Sequence, residues 1–310
     1  MKIYYQIDDF TPVKNAVVTS GTFDGVHLGH QKILGRLREA AQRINGETVV
    51  ITYWPHPRFI LSPGDTSLRI LNTFEEKAEL LKEQGVQHLL RIPFTKEFSQ
   101  ITSREFISRI LVERIGTRVL VIGYDHRFGK NREGSFEQLK IDAPTYGFEV
   151  EEIPRHDVDD VAVSSSKIRR ALEEGDIASA THWLGKPYAL TGSVIRGDKL
   201  GRVLGFPTAN IDVDSHHKLI PSEGIYAVLA EHAGRTYQGM LYIGNRPTVD
   251  GSKRSIEVNL FEFDQEIYGE TLKINLIAAL RKDAKFPDLE RLREQLARDR
   301  EHALQVLNTR

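Results

Sequence analysis

The sequence has no cysteine and only two methionines and two tryptophans in 310 residues. The missing thiol excludes disulfides, thiolate metal sites and a cysteine nucleophile. No run of about 18 apolar residues occurs and no leader-type apolar core stands near the start, so the reading predicts a soluble, cytoplasmic protein without a membrane partner. Neither sign of charge is in excess. The 42 lysines and arginines against 43 aspartates and glutamates leave a net charge of -1, short of the basic surplus of a nucleic-acid binder, and no nucleic-acid partner is expected. The length favours two domains, each able to bury its own core, and leaves room for a weak homo-oligomer.

What is present begins with Gly21-Thr-Phe-Asp-Gly-Val-His27-Leu-Gly29-His30, which follows the apolar run Ala16-Val17-Val18 and runs into an amphipathic pattern. Ile33, Leu34, Leu37, Ala40, Ala41 and Ile44 recur at helical period, ending near Asn45-Gly46. Glycines at 21, 25 and 29 let backbone approach a polyanion, and a helix start adds unpaired N–H groups and the positive end of the dipole. His27 and His30, three apart, are expected to face one phosphate. The spacing is neither Gly-x-Gly-x-x-Gly nor a Walker loop, so dinucleotide and P-loop readings lose ground.

Up to about residue 183, short apolar strands (49–53, 88–92, 118–122) alternate with helical stretches (73–84, 103–115, 166–173), a parallel α/β pattern. After Gly185-Lys-Pro187 the pattern changes to alternating strands around residues 188–190, 225–229, 256–260 and 272–276, which predicts a small antiparallel barrel. A helix beginning near Asp288 ends the chain, with Leu289, Leu292, Leu296, Ala303 and Leu307 on one stripe and a solvated charged face opposite. The boundary is placed at 184/185.

Five further segments carry polar chemistry. Ser164-Ser165-Ser166-Lys-Ile-Arg169 opens a helix with a serine cap and a guanidinium one turn in, suited to a triphosphate. Pro55-His56-Pro57 and Gly123-Tyr-Asp125-His-Arg127 each follow a strand, where rings can stack on a planar heterocycle and Asp125 or Arg127 can supply polar contacts. In the second half, Gly197-Asp-Lys199-Leu-Gly-Arg202-Val-Leu-Gly-Phe-Pro-Thr208-Ala-Asn210 gathers phosphate-binding groups and two neutral oxygen donors suited to Mg²⁺. Alternation on residues 255–260 turns Glu257 and Asn259 away from the apolar face, which makes Glu257 a candidate base for an alcohol attacking a phosphoryl group.

Together these segments resemble the bacterial bifunctional riboflavin kinase/FMN adenylyltransferase family, also called FAD synthetase, across essentially the whole chain. Gly21–His30 looks like a variant of the HxGH signature of nucleotidylyl transferases, and Pro55-His56-Pro57 and Ser164–Arg169 match further motifs of that module. Gly205-Phe-Pro-Thr-Ala-Asn210, Ile243-Gly-Asn-Arg-Pro-Thr248 and Ile256-Glu257 look like the kinase module in order. The resemblance implies a Rossmann-like α/β nucleotidyltransferase domain (1–184) and a riboflavin kinase-like β-barrel with a C-terminal helix (185–310). It also implies two reactions: riboflavin plus ATP giving FMN, then FMN plus ATP giving FAD and pyrophosphate, with Mg²⁺.

Carried over by motif, His27, His30 and Glu257 would be catalytic. Gly21, Phe23, Asp24, Gly25, Ser165, Arg169, Gly197, Lys199 and Arg202 would bind ATP or its phosphates, and Pro55, His56, Asp125 and Arg127 would bind flavin. Thr208 and Asn210 would hold the metal. Ser166, His126 and Asn259 depart from the usual family residues. The alternative reading is a nucleotidyltransferase for another phosphorylated substrate joined to a barrel that only binds or senses flavin.

Overall fold

The computed structural model describes residues 1–123, 126–153, 163–197, 200–213, 217–248 and 251–309. The chain divides into two compact units, Met1–Ser165 and Ser166–Arg310. The change of sequence pattern places the boundary at 184/185. By packing, the helix Ile177–Leu184 lies with the barrel strands that follow it.

In the first unit six parallel strands, β1 (Lys2–Tyr4), β2 (Ala16–Ser20), β3 (Glu47–Trp54), β4 (His88–Pro93), β5 (Thr117–Gly123) and β6 (Glu149–Ile153), line up in the order β1-β4-β3-β2-β5-β6. Parallel strands covered on both faces read as continuous apolar runs, and β2 is buried at every position. Val17, Val50, Leu89 and Val121 pack on one side with Leu34 and Leu37 of helix α1 (Leu28–Arg43). Val18, Ile51, Leu90 and Leu120 pack on the other, against the π-helical stretch Phe106–Ile115. The chain passes from β2 outward through β3 and β4, then crosses back to add β5 on the far side of β2. That reversal opens a crevice at the carboxyl ends of β2 and β5, where such sheets bind ligands.

In the second unit β7 (Tyr188–Ile195), β8 (Ala209–Asp212), β9 (Gly224–His232), β10 (Arg235–Thr248), β11 (Gly251–Leu260) and β12 (Thr271–Lys282) close an antiparallel barrel in the order β10-β11-β8-β7-β12-β9. Register places Tyr226, Leu241 and Val258 side by side on one face and Ala227, Met240 and Asn259 on the other. The second face of β9 and β10 carries Ile225, Ala227 and Met240 against Ala303 and Leu307 of the C-terminal helix Leu289–Asn308. β9 is therefore buried on both sides rather than half-exposed.

The charged face of that helix is not uniformly solvated. Asp299 is 4% exposed and takes hydrogen bonds from Arg281 Nε (2.9 Å) and Nη2 (2.7 Å), which tie the helix to β12.

Leu34 is fully buried between α1 and the sheet. Leu34→Ala should destabilise the first unit by roughly 2–5 kcal/mol, read as an earlier urea transition for that unit; an unchanged midpoint would contradict this packing.

Candidate functional sites

At the end of β2 the chain turns through three residues of positive φ, Phe23 (47°), Gly25 (89°) and Val26 (41°), before α1 starts. His27 is the N-cap of α1, its Nδ1 accepting the N–H of His30 at 3.4 Å. A Cβ on Gly29 would stand 3.2 Å from the His27 ring, so glycine leaves that ring its place against the first turn. The two imidazoles stack with centroids 3.7 Å apart and planes 17° off parallel, and Phe23 lies 5.1 Å from His30. The spacing thus does bring both histidines together, with His27 also serving as a helix cap.

Burial first, then the neighbouring His27 and Lys77, holds the His30 pKa well below its ordinary value. His30 is therefore neutral at physiological pH and one ring nitrogen carries a hydrogen to donate. Its Nδ1 is buried without a hydrogen-bond partner among the described residues.

Asp24 is 2% exposed, and its Oδ1 accepts the N–H groups of Leu71 (2.9 Å) and Asn72 (3.4 Å). Those two residues lead into helix α3 (Phe74–Glu83), which follows the short helix α2 (Pro57–Leu61) in the chain. The Asp24 carbonyl accepts the Ser165 hydroxyl at 2.9 Å. Asp24 is thus a strut of the loop, and Ser165 is joined to it. Arg169, one turn further along the helix Ser165–Glu174, falls in the second unit.

Sequence reasoning missed Lys77, 2% exposed on α3 with Nζ 5.3 Å from the Trp54 ring centroid. Burial pulls its pKa down to about 8 against the attraction of Asp24. A signal was available: Lys77 interrupts the stripe Phe74, Ala78, Leu81, whose spacing faces the core.

Of the expected flavin contacts, Pro55 follows a cis peptide bond, and His56 caps α2 by accepting the Arg58 N–H at 3.2 Å. Arg127 is exposed in the segment after β5, near His126, whose Nε2 lies 3.3 Å from the Ser20 hydroxyl at the crevice. Asp125 and Lys199 lie outside the described residues.

The second unit has a cavity of about 620 Å³ whose wall includes Thr208, Glu257, Asn259, Tyr242 and Phe286. Alternation on β11 turns Glu257 to the helix-facing side of the barrel, opposite Asn210 on β8 and Tyr242 on β10. Its carboxylate accepts Thr208 Oγ1 at 3.0 Å on one oxygen and Ser255 Oγ at 2.9 Å on the other. Asn259 donates to the Pro207 carbonyl at 2.6 Å and so pins the loop that carries Thr208.

Two glycines make this packing possible. A Cβ on Gly197 would be 2.2 Å from the Asn210 amide nitrogen, and one on Gly201 would be 2.4 Å from the Phe206 carbonyl oxygen. Arg202, on the short helix Leu200–Val203, is exposed. Tyr242, pushed up to about 12 by burial and then by Asp283, stays a neutral phenol and donates to Asp283 at 3.3 Å.

No cluster of three histidine or carboxylate side chains able to hold a metal ion occurs among the described residues. The Thr208 hydroxyl and Asn210 amide oxygen beside Glu257 are the hard, mostly neutral donors that suit Mg²⁺ when substrate phosphates complete its shell.

Comparisons with known proteins agree with the two-unit layout. A family model described as FAD synthetase matches residues 10–167, and one described as riboflavin kinase matches residues 184–307. A bifunctional riboflavin kinase/FMN adenylyltransferase of Haemophilus influenzae is 35% identical over 96% of this chain and 96% of its own length. Its counterpart from Listeria monocytogenes is 38% identical over 94% and 92%. A crystal structure described as a macrolide-efflux protein from Streptococcus pneumoniae superposes with a TM-score of 0.86 at 32% identity, covering 97% of each chain. Among the described residues no helix is long and apolar enough to cross a membrane. With both family models in order and full-length relatives at this identity, the chain belongs to the bifunctional riboflavin kinase/FMN adenylyltransferase family.

Proposed function

We propose that the chain makes FMN from riboflavin in its second unit and FAD from FMN in its first, with ATP as donor in both reactions. The observation that carries this reading is Glu257, a carboxylate gripped by two hydroxyls on the wall of a cavity large enough for a flavin ring. In the kinase reaction the terminal ribityl hydroxyl attacks the γ-phosphorus of ATP. Its proton passes to Glu257 while the bond from that phosphorus to the ADP oxygen breaks.

Thr208 and Asn210 would hold Mg²⁺, which neutralises phosphate charge when bound. The Thr208 hydroxyl keeps the Glu257 carboxylate turned to the cavity. The loop glycines leave room for phosphates, with Gly197, Lys199 and Arg202 as the proposed contacts.

In the first unit an FMN phosphate oxygen attacks the α-phosphorus of a second ATP, and the bond to the β-phosphate oxygen breaks to release pyrophosphate. With a second pKa of about 6 the attacking phosphate is already ionised, so charge stabilisation and alignment suffice. His27, His30 and the N-terminus of α1 supply it. Gly21, Phe23, Asp24, Gly25 and Ser165 shape the nucleotide cradle, and Pro55, His56, Asp125 and Arg127 contact the flavin. The family models leave a gap at 168–183, which supports a functional boundary at 184/185. Balanced charge and small-molecule chemistry support a cytoplasmic enzyme that works without nucleic acid.

Glu257→Gln should lower FMN formation by about 10²–10⁴-fold while supplied FMN is still converted to FAD; retained kinase activity would instead favour a barrel that only binds or senses flavin. Conversely, His30→Ala should lower FAD formation by about 10²–10³-fold with FMN still made from riboflavin, both followed by chromatography of the flavins. Removing divalent metal with EDTA should stop FMN formation, and Mg²⁺ should restore it.

A further inference from the structure

Lys77 is a group for which neither the fold nor the motifs account. Its side chain is almost wholly buried, yet no carboxylate lies within salt-bridge distance of its ammonium among the described residues. The groups that face it are Asp24 from the loop after β2, His30 from α1 with His27 stacked behind it, and the Trp54 ring at the end of β3. Asp24 attracts the ammonium, but its Oδ1 is occupied by two backbone N–H groups. Trp54 offers a π face, weaker than an ion pair.

Taking a charge out of water without a full partner is costly, so a site that keeps one is built for an incoming charge of opposite sign. The adjoining groups name that charge. His30 presents a buried nitrogen without a partner, and the first turn of α1 presents the positive end of its dipole, both suited to a phosphate.

We propose that Lys77 is a phosphate-binding residue of the first unit, its ammonium acting as the fixed counter-charge for the triphosphate of ATP between α3 and the N-terminus of α1. The assignment rests on the reading of His27 and His30 as the adenylyl-transfer site. Lys77 takes no part in bond making. As the α-phosphorus bond to pyrophosphate breaks and charge grows on the leaving oxygens, the ammonium offsets it.

A signature follows that a purely structural lysine would not give. The Lys77 pKa near 8, against 10.5 for an ordinary lysine, leaves the group charged at pH 7 and neutral above about pH 8. FAD formation should therefore fall as pH rises through 8. Stability should move the other way: between about 8 and 10.5 the unfolded chain binds the extra proton, so this group favours the folded state increasingly as pH rises.

The test measures kcat and KM for ATP in FAD formation from pH 6.5 to 9.5, with thermal unfolding alongside, for the unaltered enzyme, Lys77→Met, Lys77→Arg and His30→Ala. The expected result is a loss on the order of a hundredfold in kcat/KM for Lys77→Met. Lys77→Arg, which keeps its charge, should retain most activity and lack the decline near pH 8. An unaltered enzyme with no decline between pH 7 and 9.5 would overturn the proposal even if Lys77→Met fails to fold. So would full activity in Lys77→Met while His30→Ala is impaired, and so would a decline near pH 8 that persists in Lys77→Arg. If His30→Ala is itself fully active, the reading of the site fails instead.

Discussion

A triphosphate brings several negative charges into a protein, and a protein can hold them only where donors and cations already stand in place and need not reorganise. Both units meet that constraint with backbone geometry before side chains are considered. In the first, the reversal of strand order leaves a crevice at the carboxyl ends of β2 and β5, and the chain enters α1 from it through three residues of positive φ. In the second, β8 is only four residues long, and the loop before it folds its glycines against Asn210 and Thr208, where side chains would collide.

The two sites then differ as their chemistry requires. An alcohol needs its proton removed, and the base proposed for it is Glu257, held by two hydroxyls at the cavity wall. A phosphate monoester arrives ionised and needs only alignment and a sink for charge, the part proposed for neutral His30 and the His27 ring stacked on it at a helix start. The Arg281–Asp299 pair, with three hydrogen bonds, fixes the C-terminal helix against the barrel, where Leu292 and Leu296 form part of the same cavity wall.

Much of this was legible in the sequence because it rests on local period and local chemistry. The α1 stripe, the buried runs of β2 and β3, the change to two-residue alternation after 187 and the outward turn of Glu257 all follow from spacing within ten or so residues. What was not legible depends on contacts far apart in the chain. Asp24 reads as a phosphate-loop residue, but nothing in the local sequence shows that its carboxylate also holds the amides of Leu71 and Asn72. Asp299 reads as one of many solvated helix charges until β12 brings Arg281 to it. Both faces of β9 are buried because a helix some sixty residues later covers the outer one. Lys77 was detectable in principle, as a charge on an apolar stripe, but its neighbours from β3 and α1 were not.

The central claim is that each unit has its own ATP pocket. Calorimetric titration of the full chain with a non-hydrolysable ATP analogue, in the presence of flavin and Mg²⁺, measures it most directly. Two nucleotides bound per chain, one of them lost in Gly201→Val and the other in Gly29→Val, is the predicted result. A single nucleotide per chain, or one substitution abolishing both, would contradict it.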